Sequence, residues 1–150
     1  MASISRIRRV LAGRLDAIGG LRVSATVPGS ITPPAAAILP GLGPESSTSR
    51  LAVEYDKSFR GGSHKMHFLV KLAVSAAHDE SGQEVLDAYL DSEGALSVKA
   101  AVESGLEALV HEGDVVAEYA QVPGVSHYGV ISWGGVEYFG ADLLVEVLAR

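Results

Sequence analysis

Two stretches of this chain carry residue types and spacings that could do chemistry. The segment YDKSFRGGSHKMHFLVKLAVS (55–75) sets His64 and His67 three apart, directly after a glycine pair, among Lys57, Arg60, Lys65 and Lys71. Such a set could bind a metal, cradle a phosphate or line a nucleic-acid path. The second stretch, His78-Asp79-Glu80-Ser81, joins an imidazole, two carboxylates and a hydroxyl.

Each chemistry has a geometric requirement. On a strand, residues three apart point to opposite faces, so His64 and His67 cannot share one ion there. Arg60-Gly61-Gly62-Ser63 lacks the lysine and the following helix of a phosphate-binding loop, and reads as a turn. Ser81 and Glu84 form a Ser-x-x-Glu pattern, so Ser81 is expected to cap a helix. Asp87 and Asp91 fall one turn apart on that helix, without apolar shielding, and are expected to be solvated. The sequence has no Gly-x-Ser-x-Gly elbow, no cysteine and no cofactor fingerprint. The reading is a protein that is not an enzyme, with no cofactor, metal or catalytic residue. A small soluble hydrolase working through His67 or His78 is the alternative of the enzyme class, and a monomeric α+β binding module is a third.

The elements that must position these residues follow from the chain as a whole. Its 150 residues, 47% hydrophobic and 20% charged, can bury one core. The absence of cysteine excludes disulfides and thiolate metal sites. No apolar run approaches the roughly 18 residues of a membrane helix. The first residues are Arg-rich, without the apolar core of a signal peptide, and read as an amphipathic helix. Charge is unevenly placed: residues 1–22 hold five Arg and one Asp, whereas 79–118 hold eleven acids and one Lys. The net charge of −6 argues against general nucleic-acid binding, though not against a surface that DNA merely passes.

Ile4, Ile7, Val10 or Leu11, Leu15 and Ile18 make one helical stripe, with Ser3 as N-cap and Gly19-Gly20 as the stop. LRVSATV alternates as a half-buried strand does. Five of the six prolines lie in 28–49. That excludes a helix or central strand there and leaves AAAIL as an edge strand at most, followed by a loop over 41–50. LAVEYD is a short strand candidate. A helix is expected over 81–93 with Val85, Leu86, Tyr89 and Leu90 buried, then another from Ser97 burying Val98, Val102, Leu106 and Leu109. VVAEYAQV, YGVISW and VEYFGADLLVEVLA are three strand candidates, the last two joined at Gly134-Gly135 as a terminal hairpin. Trp133 reads as a hairpin packing residue. The order predicts one α+β domain over 1–150: a mostly antiparallel sheet with helices packed on one face, and a Pro-rich extended segment and loop at 28–50.

Parity then sorts the two long strands. Met66, Phe68, Val70, Leu72 and Val74 share one apolar face, which must be buried, for roughly 8–15 kcal/mol as an upper bound. Lys65, His67, Leu69, Lys71, Ala73 and Ser75 share the other. The last strand repeats the pattern, with Phe139, Ala141, Leu143, Val145, Val147 and Ala149 on one face and Asp142, Leu144, Glu146 and Leu148 on the other. Leucines among charges in two long strands suit a subunit interface, which needs both apolar area and charge registration. The competing reading has the helices covering that face. The expected interface residues are His67, Leu69, Lys71, Asp142, Leu144 and Glu146, and the expected partner-contact loop holds Pro40, Leu42, Pro44 and Arg60.

Four segments carry a family likeness: PGSITPPAA (28–36), SFRGG (58–62), GALSVKAAVE (94–103) and YFGADLLVEV (138–147). In their order along nearly the whole chain, the sequence resembles the tail terminator proteins of long-tailed bacteriophages, particularly those of actinobacterial hosts. The resemblance implies a virion structural protein of the tail and neck, assembled in the host cytoplasm. Its copies would form a ring, usually a hexamer, on the head-proximal end of the tail tube. That ring would bind the tail tube protein and the head-side connector or stopper, and stop tube polymerisation. DNA would pass through it without specific binding, which surplus acids in the lumen would suit. No catalytic residue and no membrane is implied. Another neck component, a head-completion or stopper protein, is the near alternative.

Overall fold

The structure, a computed structural model, describes residues 4–26, 28–40, 53–55, 64–103, 109–111 and 114–149. The first helix forms as the stripe predicts. α1 (Ile4–Asp16) buries Ile7, Leu11 and Leu15, spaced four apart, and leaves Ile4 exposed. Ser3 lies outside the described residues. Three short or medium strands follow: β1 (Arg22–Ser24), β2 (Ala35–Pro40) and β3 (Val53–Tyr55). β4 (His64–Ala76) is the long strand whose parity was read above.

β2 corrects the expectation of an edge strand. It pairs with β1 in parallel over Ala35–Ala37 and with β4 in antiparallel along its whole length. Its prolines permit this because Pro33 and Pro34 precede the strand and Pro40 is its last residue, so no ladder donor is lost within 35–39.

α2 (Gly82–Leu90) buries Leu86 and Tyr89, but Val85 is exposed and Leu90 only partly buried. The expected capping box is not made. Ser81 sits in a helical conformation rather than the extended one of an N-cap, and its hydroxyl donates to Asp79 Oδ1 at 2.8 Å and caps no helix N–H group. The cap of α3 (Val98–Val102) does form: Ser97 Oγ accepts from the Ala100 N–H at 3.0 Å. α3 is shorter than predicted. Leu109 belongs instead to β5 (Leu109–His111), and Leu106 lies outside the described residues. Arg14 of α1 donates to the Val102 carbonyl at 2.6 Å, satisfying one of α3's terminal acceptors.

The C-terminal third is a single hairpin. β6 (Asp114–Trp133) runs unbroken where two strands were predicted, and turns at Gly134-Gly135 into β7 (Val136–Ala149). Pro123 does not interrupt β6 because it sits in a register shift between Gln121 and Gly124, where no ladder bond is required. The strand order is β1-β2-β4-β7-β6-β5, with β3 on the same edge of β4 as β2 but further along, and only β1 against β2 is parallel. This is an α+β fold with a mostly antiparallel sheet.

The helices share the apolar face of β4 and β7. Ile7, Leu11, Leu15, Leu86, Tyr89, Val98 and Val102 join Met66, Phe68, Val70, Leu72, Leu143, Val145 and Val147 in one buried cluster. α1 touches both β1 and β5, the two ends of the strand order, so the sheet curls around this helix. The opposite side of the sheet is its outer face.

Candidate assembly surface

Each of the six residues expected at an interface lies on β4 or β7, and these strands are adjacent. The antiparallel register sets His67 opposite Glu146, Leu69 opposite Leu144 and Lys71 opposite Asp142. Six residues chosen from two separate parts of the sequence thus form three directly facing pairs on the outer face. Directly opposite side chains in an antiparallel pair interact, and opposite charges there are favourable.

The face is less open than parity implied. His67 and Leu69 are each only 5% exposed within the single chain, while Asp142, Leu144 and Glu146 are half-buried. The far end of the β6–β7 hairpin turns back over the outer face. Ile131, Trp133 and Tyr138 pack there against Ala37 of β2 and Ala73 of β4. Trp133 Nε1 donates to the Pro28 carbonyl at 3.2 Å, which ties the hairpin tip to the segment before β2. Trp133 is therefore the packing residue the sequence suggested. The helices, which were the competing cover, lie on the other side.

Gly140 makes this fold-back possible. A Cβ at that position would stand 2.2 Å from the Leu72 carbonyl oxygen and 2.5 Å from Ile131 Cδ1. Gly129 is its register partner on β6, while β7 itself stays paired with β4 as far as Tyr138 opposite Ala76.

Lys71 is drawn into this closed end. Its Nζ donates to the Ser132 carbonyl at 3.2 Å and lies 5.3 Å from the centre of the Trp133 ring, within cation–π range. Asp142 is reached from β6, where Ser126 Oγ donates to its backbone carbonyl at 3.2 Å. At the open end of the face, Lys65 Nζ approaches Glu146 Oε1 at 3.4 Å, diagonally across the ladder. Ser75 leaves the outer face altogether. A register shift between Ala73 and Ser75 sets it opposite Phe139, and its Oγ lies against Gly82 of α2.

Of the expected partner-contact residues, Pro40 ends β2, while Leu42, Pro44 and Arg60 lie outside the described residues, as do the SFRGG turn and the 41–50 loop. His67 and His78 do not converge. One is buried in mid-β4 and the other exposed beyond its end, about 30 Å of extended chain away. Among the described residues no three His, Asp or Glu side chains are grouped to hold a metal. No described helix is long and apolar enough to cross a membrane.

One surface feature escaped the sequence reading. Val125, Tyr128 and Val130 of β6 are exposed, at 41%, 48% and 47%. The Tyr128 hydroxyl donates to Asp87 of α2, and this hydrogen bond holds the phenol above its ordinary pKa. Asp87 is thus exposed but engaged. The alternation of Val125, Tyr128 and Val130 with smaller residues resembles any strand, so their exposure depends on which neighbours stop short of them.

No protein-family model matches the chain, and no curated protein matches it at a significant level.

Proposed function

We propose that this protein is a tail terminator of a long-tailed bacteriophage: a virion structural protein, not an enzyme. Copies of it form a ring, most simply a hexamer, that caps the head-proximal end of the tail tube. The cap ends tube polymerisation and joins the tail to the head-side connector. The sequence resemblance in 28–36, 58–62, 94–103 and 138–147 supports this reading. The structural observation that carries it furthest is the outer face of β4 and β7. There Leu69 and Leu144 stand in register between two facing polar pairs, and the Lys65–Glu146 end is left uncovered by the hairpin. Leu69 and His67 are closed within the single chain, so the part of this face left for a neighbour is Leu144 with Lys65 and Glu146, apolar area beside opposite charges. A net charge of −6 suits a ring through which DNA slides without being held.

The experiment is tube assembly. Tail tube subunits polymerising in the presence of the purified protein give tubes of arrested length, with the protein at one end. Tubes of unchanged length, with the protein bound to heads instead, would transfer the reading to a head-completion or stopper protein.

A further inference from the structure

The helices leave part of the core face of the sheet uncovered. α2 packs on β4 and β7, while α1 and α3 reach β6. Near its start β6 is accordingly closed: Val116, Ala120 and Val122 are buried in the main core. Further along, Val125 stands opposite Leu143, Tyr128 opposite Ala141 and Val130 opposite Phe139. Those three β7 residues belong to the core or pack against it, so their β6 partners share the core face. Yet the β6 residues are 41%, 48% and 47% exposed. Among the described residues no helix packs over them, and the helix layer ends one strand short.

The space left has the dimensions of a helix. Neighbouring strands lie about 4.8 Å apart and packed helices about 8–10 Å apart, so a further helix beside α2 would rest on β6. From Val125 to Val130 the strand runs roughly 17 Å, the length of about three helical turns. The Tyr128 hydroxyl donates to Asp87, which ties the apolar strip to the wall formed by α2.

Backbone and charge decide the occupant. An added strand is disfavoured, because the Val130 and Ser132 carbonyls already accept from His127 Nε2 at 3.1 Å and Lys71 Nζ at 3.2 Å. The occupant must bring apolar side chains on a backbone whose hydrogen bonds are already made, as an amphipathic helix does. The wall is acidic: residues 79–93 hold six acids and no basic side chain, and Glu84 and Asp87 of α2 are exposed. That charge repels an anionic lipid surface and the α2 of a second copy alike. The basic helix of a second copy, α1, has Ile7, Leu11 and Leu15 fully buried in its own core and no apolar stripe to offer. We propose that Val125, Tyr128 and Val130 beside α2 form a docking site for a basic amphipathic helix of a different protein. Its apolar stripe lies on β6 and its lysines or arginines face the acids of α2. The site is on the helix side of the sheet, opposite the outer face of β4 and β7, and does not rest on the capping function.

The probe is a fluorescein-labelled synthetic helix with a leucine stripe flanked by lysines. One control peptide scrambles its residues so that the stripe is lost, and another carries glutamate in place of lysine. Anisotropy gives the affinity, and amide shifts of the isotope-labelled protein give the place. The lysine peptide should bind saturably, weaken as salt is added, and shift the amides of 125–130 and of α2 before any others. Neither control peptide should bind. Val125→Ser with Val130→Ser, both at exposed positions, should weaken binding about tenfold or more. Glu84→Gln with Asp87→Asn keeps an acceptor for Tyr128 and should flatten the salt dependence. Circular dichroism checks the fold of each variant. No binding by the lysine peptide, equal binding by the scrambled one, unchanged affinity in the folded serine variant, or shifts confined to another surface would each overturn the assignment. So would shifts at 125–130 brought on by raising the protein concentration alone, which would mean a second copy covers the strip, or by phosphatidylglycerol vesicles, which would mean a lipid surface does.

Discussion

The two faces of β4 obey the same alternation and end in different circumstances. On one face, Met66, Phe68, Val70, Leu72 and Val74 meet helices along the full strand and are buried without exception. On the other, Ala73 and Lys71 lie beneath the folded-back hairpin, while Lys65 and its partner Glu146 remain at the surface. The difference teaches that alternation assigns residues to a face but not the cover of that face. The helix face is closed by α1, which precedes the strand in sequence, and by α2 and α3, which follow it. The outer face is closed at one end by the hairpin tip, which reaches it only because Gly140 lets Ile131 and the Leu72 carbonyl approach.

Substitutions can break this comparison at graded cost. Phe68→Ala, at the centre of the helix face, should lower stability by about 3–5 kcal/mol in urea unfolding, the usual cost of emptying a buried aromatic site. A cost near that of a surface change would show that this face is not the main core. Gly140→Val should cost about 1–3 kcal/mol through overpacking against Leu72 and Ile131. It should also change the near-ultraviolet signal of Trp133, whereas an unchanged signal would mean the hairpin tip is positioned some other way. Lys71→Met keeps the aliphatic stem and removes the charge over Trp133, so a loss of about 0.5–1 kcal/mol is expected. Lys71→Glu therefore acts first on the hairpin tip and only through it on assembly. The smallest effect belongs to the open end. A double-mutant cycle on Lys65 and Glu146 should give a coupling of about 0.2–1 kcal/mol that fades as salt is added. A larger, salt-insensitive coupling would mean the pair is covered like the rest of the face.

Much of this was legible because strands and amphipathic helices write their burial into period two and period 3.6. The buried set of β4 could be read residue by residue, those of α1 and of β7 as far as Val147 all but Ile4, which is exposed, and Phe139, which is half-buried, and so could the turn at Gly134-Gly135 and the Ser97 cap. The facing pairs His67–Glu146 and Lys71–Asp142 were foreshadowed by matching spacings of four, although nothing in the sequence announced that the two strands would be neighbours. Other features depended on competition or on position in three dimensions. Ser81 took up a helical backbone and turned its hydroxyl to Asp79, two residues away. The bulge before Ser75 reversed its side. The continuity of β6 through Pro123 required a register shift that propensity does not encode. The exposure of Tyr128 and Val130 depends on where β5 stops, and the placing of Lys71 beside Trp133 on how far the hairpin curls.

Electron microscopy of purified protein with assembled tail tubes measures the central claim directly. Class averages should show a closed ring of copies seated on one end of tubes of uniform length. Bare tube ends of variable length beside isolated single chains would contradict it.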